Sequence, residues 1–167
     1  MQSFVDYLNA VQNSQLSLYI AESTWAFPAI ETIHVFAICT VFGSIAIVDL
    51  RLLGLASTSR PFSELSREVL PWTWGAFALA ALCGTLLFIT RPLTYLENYE
   101  FRTKFGFMAL AGVNMLVFQL ISSRGLARWD LGRPSAAAKI AGGLSLVFWI
   151  GVVYYARLTG FTMVQGD

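Results

Sequence analysis

The chain has 167 residues, of which 56% are hydrophobic and 13% are charged, and its formal net charge is +1. That charged fraction is about half of the usual share in soluble domains. The near-neutral charge, without a basic patch interleaved with aromatic residues, gives no sign of nucleic-acid binding. A bilayer crossing takes about 20 apolar residues, so the chain has room for four crossings and little else. We therefore expect one membrane domain over residues 1–167.

Residues 1–22 precede the first apolar run and place apolar side chains near helical spacing, with polar side chains between them. The segment has neither a basic start nor an uninterrupted apolar core, so it lacks the pattern of a signal peptide. One apolar face on a mostly polar helix is typical of a helix that lies on a membrane surface. The segment therefore predicts an N-terminal interfacial amphipathic helix.

Four apolar stretches follow, and each is long enough to cross a bilayer as a helix. They cover residues 25–54, 71–90, 103–121 and 138–158. The pattern predicts an all-α fold, an integral membrane four-helix bundle. Small residues that suit close helix contact recur in the second and fourth spans, and from them we expect a homo-oligomer. They are Ala76, Ala80, Gly84, Gly142 and Gly143.

The distribution of lysine and arginine predicts the orientation of the bundle, because cytoplasmic connectors carry an excess of both. The first and third connectors share one side, with seven basic residues: Arg51, Arg60, Arg67, Arg124, Arg128, Arg133 and Lys139. The other side has four: Arg91, Arg102, Lys104 and Arg157. We therefore expect a protein of the bacterial inner (cytoplasmic) membrane with both termini in the periplasm.

The first span holds the single histidine of the chain, His34. An ionisable side chain inside a membrane is costly and by default indicates a functional site. Glu31 precedes His34 by three residues, so both lie on one surface of the helix, where the carboxylate can orient the imidazole. Further along, Asp49 and Arg51 are expected to form an interfacial ion pair, or to cap a neighbouring helix.

Counting inward from the outer ends of the spans places His34 roughly 13 Å deep, at 1.5 Å per residue. The same count places other candidate ligands in this layer. They are Cys83, Asn114, Met115 and Trp149.

The leading interpretation is a b-type haem protein that transfers electrons, with His34 as an axial ligand and a quinone or redox protein as partner. Met115, Met108 or the His34 of another protomer would supply the sixth position, or that position would stay open. At the outer surface, Arg91, Arg102, Lys104 and Tyr95 would meet the propionates, and Glu31 and Trp149 would complete the cofactor site.

Two alternatives stay open. In the first, His34 binds copper with Cys83, Met115 or Met108, because imidazole, thiolate and thioether are suitable ligands for it. In the second, His34 hydrogen-bonds Asn114, Ser44 or Thr85 across helices, and the protein is an accessory or scaffold subunit. The sequence has no Ser/His/Asp set, HExxH motif or phosphate loop. We therefore expect an electron carrier or binding protein rather than a hydrolase or transferase.

Three stretches carry a family pattern: Trp-x-Phe-Pro-x-Ile-Glu-x-x-His at residues 25–34, Asp-Leu-Arg-Leu-Leu-Gly at 49–54 and Pro-Trp-x-Trp at 71–74. Through them the sequence resembles a family of small bacterial four-span inner-membrane proteins, over about residues 25–120. The resemblance implies the fold and the inner membrane, and it implies no activity. More loosely, the chain is similar to copper-resistance D membrane proteins and to cytochrome b-like bundles.

Overall fold

The structure, a computed structural model, describes residues 2–122, 130 and 133–165, and these residues contain helices and no strand. The helices are α1 (Gln2–Gln12), α2 (Gln15–Glu22), α3 (Ala26–Leu53), α4 (Phe62–Phe88), α5 (Pro92–Glu97), α6 (Tyr99–Val117) and α7 (Ala136–Gln165). A π-helical turn, Phe118–Ser122, continues α6. The all-α prediction is confirmed.

Four helices, α3, α4, α6 and α7, are long and apolar enough to cross a membrane. This agrees with a multi-pass membrane protein. The first, third and fourth spans fall close to the predicted ranges. The second differs, because α4 begins at Phe62 and carries Pro71 inside it. Proline removes one hydrogen bond to the preceding turn, which is least costly near a membrane boundary, where water and head groups can serve the freed carbonyl.

The early start of α4 is explained by a cap from a distant connector. The carboxylate of Asp130 accepts hydrogen bonds from the Ser63 main-chain N (2.8 Å) and from Ser63 Oγ (2.6 Å). The main-chain N of Phe62 donates to the carbonyl of Asp130 at 3.1 Å. The first N–H groups of a helix lack partners within the helix, and a carboxylate supplies them well. Asp130 thereby lets the polar segment before Pro71 continue as membrane helix.

Arg51 joins the same two connectors at the inner end of the bundle, which is the end where α3 finishes and α4 begins. It is fully buried (0% exposed), and it donates from Nε to the carbonyl of Arg60 (3.1 Å) and from Nη2 to that of Asp130 (2.9 Å). The predicted Asp49–Arg51 ion pair is wrong. Residues two apart on a helix point away from each other, and the ion pairs among the described residues join Arg60 to Glu64 and Glu68.

The spans pack in the spatial order α4, α3, α7, α6. Small residues make the contacts close. A Cβ on Gly84 of α4 would lie 3.0 Å from the His34 ring, and one on Gly142 of α7 would lie 2.9 Å from the main-chain O of Asp49. These small-residue faces are thus used within one chain. A homo-oligomer stays a prediction, and it needs a different surface.

The outer end of the bundle is the end where α4 and α7 finish and α3 and α6 begin. Asn98 Nδ2 before α6 donates to Thr162 Oγ1 near the end of α7 at 2.8 Å, which fixes this antiparallel arrangement. The N-terminal segment forms two helices rather than one. Ser17 of α2 is buried and donates from Oγ to the Ile89 carbonyl at 2.9 Å, so α2 is attached to the end of α4.

The outward face of α1 and the turn between α2 and α3 carry large exposed aromatic side chains. Phe4, Tyr7 and Trp25 are exposed by 59%, 65% and 64% respectively. Aromatic rings on a polar segment beside a span are typical of the membrane interface. Arg124 and Arg128, which contribute to the predicted orientation, lie outside the described residues.

Candidate functional site

His34 points from α3 towards α4, where the absence of a side chain at Gly84 makes room for its ring. A Cβ at Gly84 would come within 3.0 Å of imidazole Cε1 and 3.7 Å of both ring nitrogens. The main-chain carbonyl of Ala80, one turn earlier on α4, also faces the ring. His34 Nδ1 is buried and has no hydrogen-bond partner. An imidazole nitrogen in this state is uncommon, because buried polar atoms are nearly always paired.

None of the three partners that a purely structural histidine was expected to use is hydrogen-bonded to His34 Nδ1. Asn114 Nδ2 donates to the carbonyl of Ala141 at 2.9 Å. Ser44 Oγ accepts from Thr73 Oγ1 at 2.8 Å and donates to the Val41 carbonyl. Thr85 Oγ1 donates to a carbonyl of its own helix. The inter-helix hydrogen bond of the accessory-subunit interpretation is therefore not formed with any of them.

Two charged groups act on His34 at the outer end of the bundle. Glu31, the carboxylate one turn earlier, and Lys104 on α6 are the two that act on the imidazole electrostatically. Lys104 Nζ lies 4.5 Å from the ring centroid of Phe101 and 5.3 Å from that of Phe105. Aromatic faces stabilise an ammonium ion that has lost water. Lys104 is thus held against these rings, within electrostatic reach of His34.

An aromatic cluster formed by Phe88, Tyr95, Phe101 and Phe105 adjoins Lys104 and links the end of α4 to the start of α6. Its ring centroids lie 5.0 to 5.9 Å apart. Such spacing is favourable for aromatic pairs. The cluster gives the outer end an apolar wall, with Lys104 held at its edge.

Tyr95, which lies on α5 outside the spans, connects this cluster to the charged groups. Burial raises the pKa of its phenol, Glu31 raises the pKa further, and Arg91 opposes both effects. Tyr95 therefore keeps its proton at neutral pH and can act as a hydrogen-bond donor. His34, Glu31, Lys104 and Tyr95 form the outer-end polar cluster.

The predicted layer is wrong for Asn114 and Met115. Asn114 contacts Ala141, beside the Gly142 that packs on Asp49, so it lies towards the inner end. Ten residues of α6 separate it from Lys104, about 15 Å along the axis at 1.5 Å per residue. Depth counted along each span from its own end does not include the register between helices, which the hydrogen bond from Asn114 to Ala141 shows for α6 and α7.

The remaining predicted site residues are dispersed. Met115 follows Asn114 and is 36% exposed on α6. Trp149 is half-buried on α7, near the Gly151 that packs against Phe107. Arg91 and Arg102 are exposed at the outer end, where Arg91 acts on Tyr95. Of the predicted cofactor residues, the structure thus has His34, Glu31, Arg91 and Arg102 at one end, and Arg102 is exposed there.

Cys83 is buried on α4 and immediately precedes Gly84, so it lies at the depth of His34. Within the described part of the chain, histidine, cysteine and acidic residues do not come together in any group of three that could hold a metal ion. A copper site would therefore depend on His34, Cys83 and a thioether.

Two features of the site were not recognised from the sequence. The sequence pattern indicates only helix packing for Gly84, whereas in the structure its missing side chain leaves room for the His34 ring. Phe88, Phe101 and Phe105 were not singled out at all. Their positions on both sides of the Arg91–Pro92 break are a usable signal, because a short break between spans brings the two flanking segments together.

A scan against protein-family models, a search of curated proteins and a search of solved structures each found no match to the chain.

Proposed function

We propose that the protein is a membrane-embedded b-type haem protein that transfers electrons, with His34 as an axial ligand. The observation that carries the proposal is the buried, unpartnered Nδ1 of His34. A buried polar atom without a partner costs about 1–3 kcal/mol. A metal-bound imidazole is relieved of that cost at one nitrogen and hydrogen-bonds through the other.

The surroundings of His34 fit a porphyrin on its outer side. The aromatic cluster supplies an apolar wall, and Lys104 and Arg91 supply cations for two propionates. Tyr95, protonated at neutral pH, adds a hydrogen-bond donor. The haem would contribute one-electron redox chemistry, and the chain would set its potential through the axial ligand, burial and these charges.

The residues supply one strong axial ligand. Met115 lies in the layer of Asn114 and on an exposed surface, so it does not serve as the second ligand within one chain. Met108 is half-buried one helical turn after Lys104 and therefore on the same side of α6. We assign Met108 as the intramolecular candidate for the sixth position.

The location proposed for the protein is the bacterial inner membrane with both termini in the periplasm, so that the outer-end polar cluster faces a periplasmic redox protein or a quinone in the outer leaflet. The excess of basic residues on the inner connectors supports this orientation.

The experiment that tests the haem is absorption spectroscopy of the purified protein. We expect a Soret band in the wild type and its loss in His34→Ala. Added imidazole should restore the band in this variant, because truncation leaves an imidazole-sized space against Gly84. Two control variants should both keep the wild-type spectrum: Met115→Leu, and Asn114→Ala, which removes a polar group towards the inner end of the bundle.

A wild type without a Soret band, or a band that persists in His34→Ala, contradicts the proposal. Metal analysis of the same sample separates the alternatives. Copper that is lost from both His34→Ala and Cys83→Ala would support the copper site, and a folded protein without haem or metal would support the accessory subunit.

A further inference from the structure

A second ionisable group, Asp49, is buried at the inner end of the bundle, where α7 crosses α3. Asp49 is 4% exposed. A Cβ at Gly142 would lie 2.9 Å from the Asp49 main-chain O and 2.9 Å from Leu52 Cβ, so the α7 backbone rests directly on α3 here. The two helices thereby enclose the Asp49 side chain.

One polar side chain interacts with the Asp49 carboxyl group. The Ser145 side chain, one turn after Gly142 on α7, interacts with it. Asp49 Oδ2 is buried and has no hydrogen-bond partner. Asn114, from α6, donates to the carbonyl of Ala141, beside this contact. The Ser145 hydroxyl and the Asn114 amide are uncharged, so neither balances the charge of an ionised carboxylate.

No cation among the described residues acts on Asp49. Arg51 is directed to the carbonyls of Arg60 and Asp130. The charged residues of the helices packed around this contact are engaged elsewhere or exposed. Lys104 and Arg157 lie over phenylalanine rings, Glu64 and Glu68 pair with Arg60, and Arg67 and Lys139 are exposed.

An ionised carboxylate that is removed from water without a cation carries a penalty of several kcal/mol. Binding a proton removes the charge and turns the group into a hydrogen-bond donor. We propose that Asp49 is a proton-binding site of the membrane domain, whose carboxyl group holds a proton at neutral pH while α3 and α7 stay in contact at Gly142. Separation of the two helices would admit water and release the proton at the inner side.

This site is separate from the haem site. Asp49 follows His34 by fifteen positions along α3, about 22 Å at 1.5 Å per residue. A protein without haem would leave the proposal for Asp49 intact, because no part of the argument uses His34.

Infrared spectroscopy of the full-length protein in detergent tests the proposal. A protonated carboxylic acid has a carbonyl stretching band that is separate from the bands of a carboxylate. We expect such a band near neutral pH, its loss in Asp49→Asn, and its retention in Asp6→Asn, which makes the same change at an exposed position of α1. A wild type without the band, or a band that survives in Asp49→Asn, overturns the proposal.

A second variant keeps the test informative if Asp49→Asn fails to fold. Ser145→Ala removes the hydroxyl beside the carboxyl group, and we expect the band to remain and to move to higher frequency as the carbonyl loses a donor. A band at the wild-type frequency would show that the observed acid is not Asp49. Loss of the band would show that Asp49 is ionised without the Ser145 hydroxyl. Either result counts against the proposed site.

Discussion

Two adjacent glycines of α7 provide a sharp test of how tightly the spans pack. Replacing Gly142 by alanine puts a methyl group 2.9 Å from both the Asp49 main-chain O and Leu52 Cβ, and 3.6 Å from Asp49 Cα. Main-chain atoms and a Cβ cannot move without their helix, so α3 and α7 must separate. The same change at Gly143 meets Leu53 Cδ2 at 3.8 Å, which is ordinary contact with the end of a flexible side chain.

Both substitutions gain stability from the better helix propensity of alanine, but only Gly142→Ala loses stability through overpacking. Alanine is favoured over glycine inside a helix by about 0.5–1 kcal/mol. Overpacking typically costs about 1–3 kcal/mol. We therefore expect Gly142→Ala to lose about 1–2 kcal/mol of unfolding free energy on balance and Gly143→Ala to gain about 0.5–1 kcal/mol.

Thermal unfolding in detergent, followed by the fluorescence of the five tryptophans, measures the difference. At about 2–4 °C per kcal/mol for a chain of this size, Gly142→Ala should lower the midpoint by about 2–8 °C and Gly143→Ala should raise it slightly. Equal midpoints for the two variants, or a more stable Gly142→Ala, would refute the close α3–α7 contact.

Two further predictions concern the ends of the bundle. Ser17→Ala removes the buried donor to the Ile89 carbonyl, and the unpaired carbonyl costs about 1–3 kcal/mol. The amide hydrogens of α1 and α2 should therefore exchange faster than in the wild type. Ser3→Ala, at an exposed position of α1, is the control, and equal exchange in the two variants would contradict the attachment of α2 to the end of α4. Hydrogen bonds from the side chain and main chain of Ser63 lower the pKa of Asp130 in the folded protein. The Asp130 carboxylate therefore contributes its full stabilisation above the ordinary aspartate pKa of about 3.9. This stabilisation is lost as the pH falls through the lower pKa of the folded state. Asp130→Asn should therefore unfold at a lower temperature than wild type at neutral pH, and the gap should close in acid; a gap independent of pH would show that the cap does not depend on the charge.

Much of the architecture follows from the sequence because a bilayer imposes a simple rule on it. A span must be a helix of about 20 apolar residues, so hydropathy alone located α3, α6 and α7. It began the second span at Pro71 and left Ser63, Glu64 and Arg67 to the polar connector, whereas α4 runs without a break from Phe62. Their helix depends on Asp130, which lies far away in the sequence, and no local pattern reports such a cap.

The sequence also identified His34 as the unusual group and Glu31 as its neighbour, because residues three apart on a helix always share a surface. Tertiary structure alone decided the rest of the site. It placed Gly84 against the imidazole, held Lys104 against phenylalanine rings, and placed Asn114 towards the inner end. It also turned Asp49 towards α7 and Arg51 towards the connectors. The physical reason is that hydropathy sets which residues lie in the membrane, whereas the rotation, tilt and register of each helix are set by packing against its neighbours.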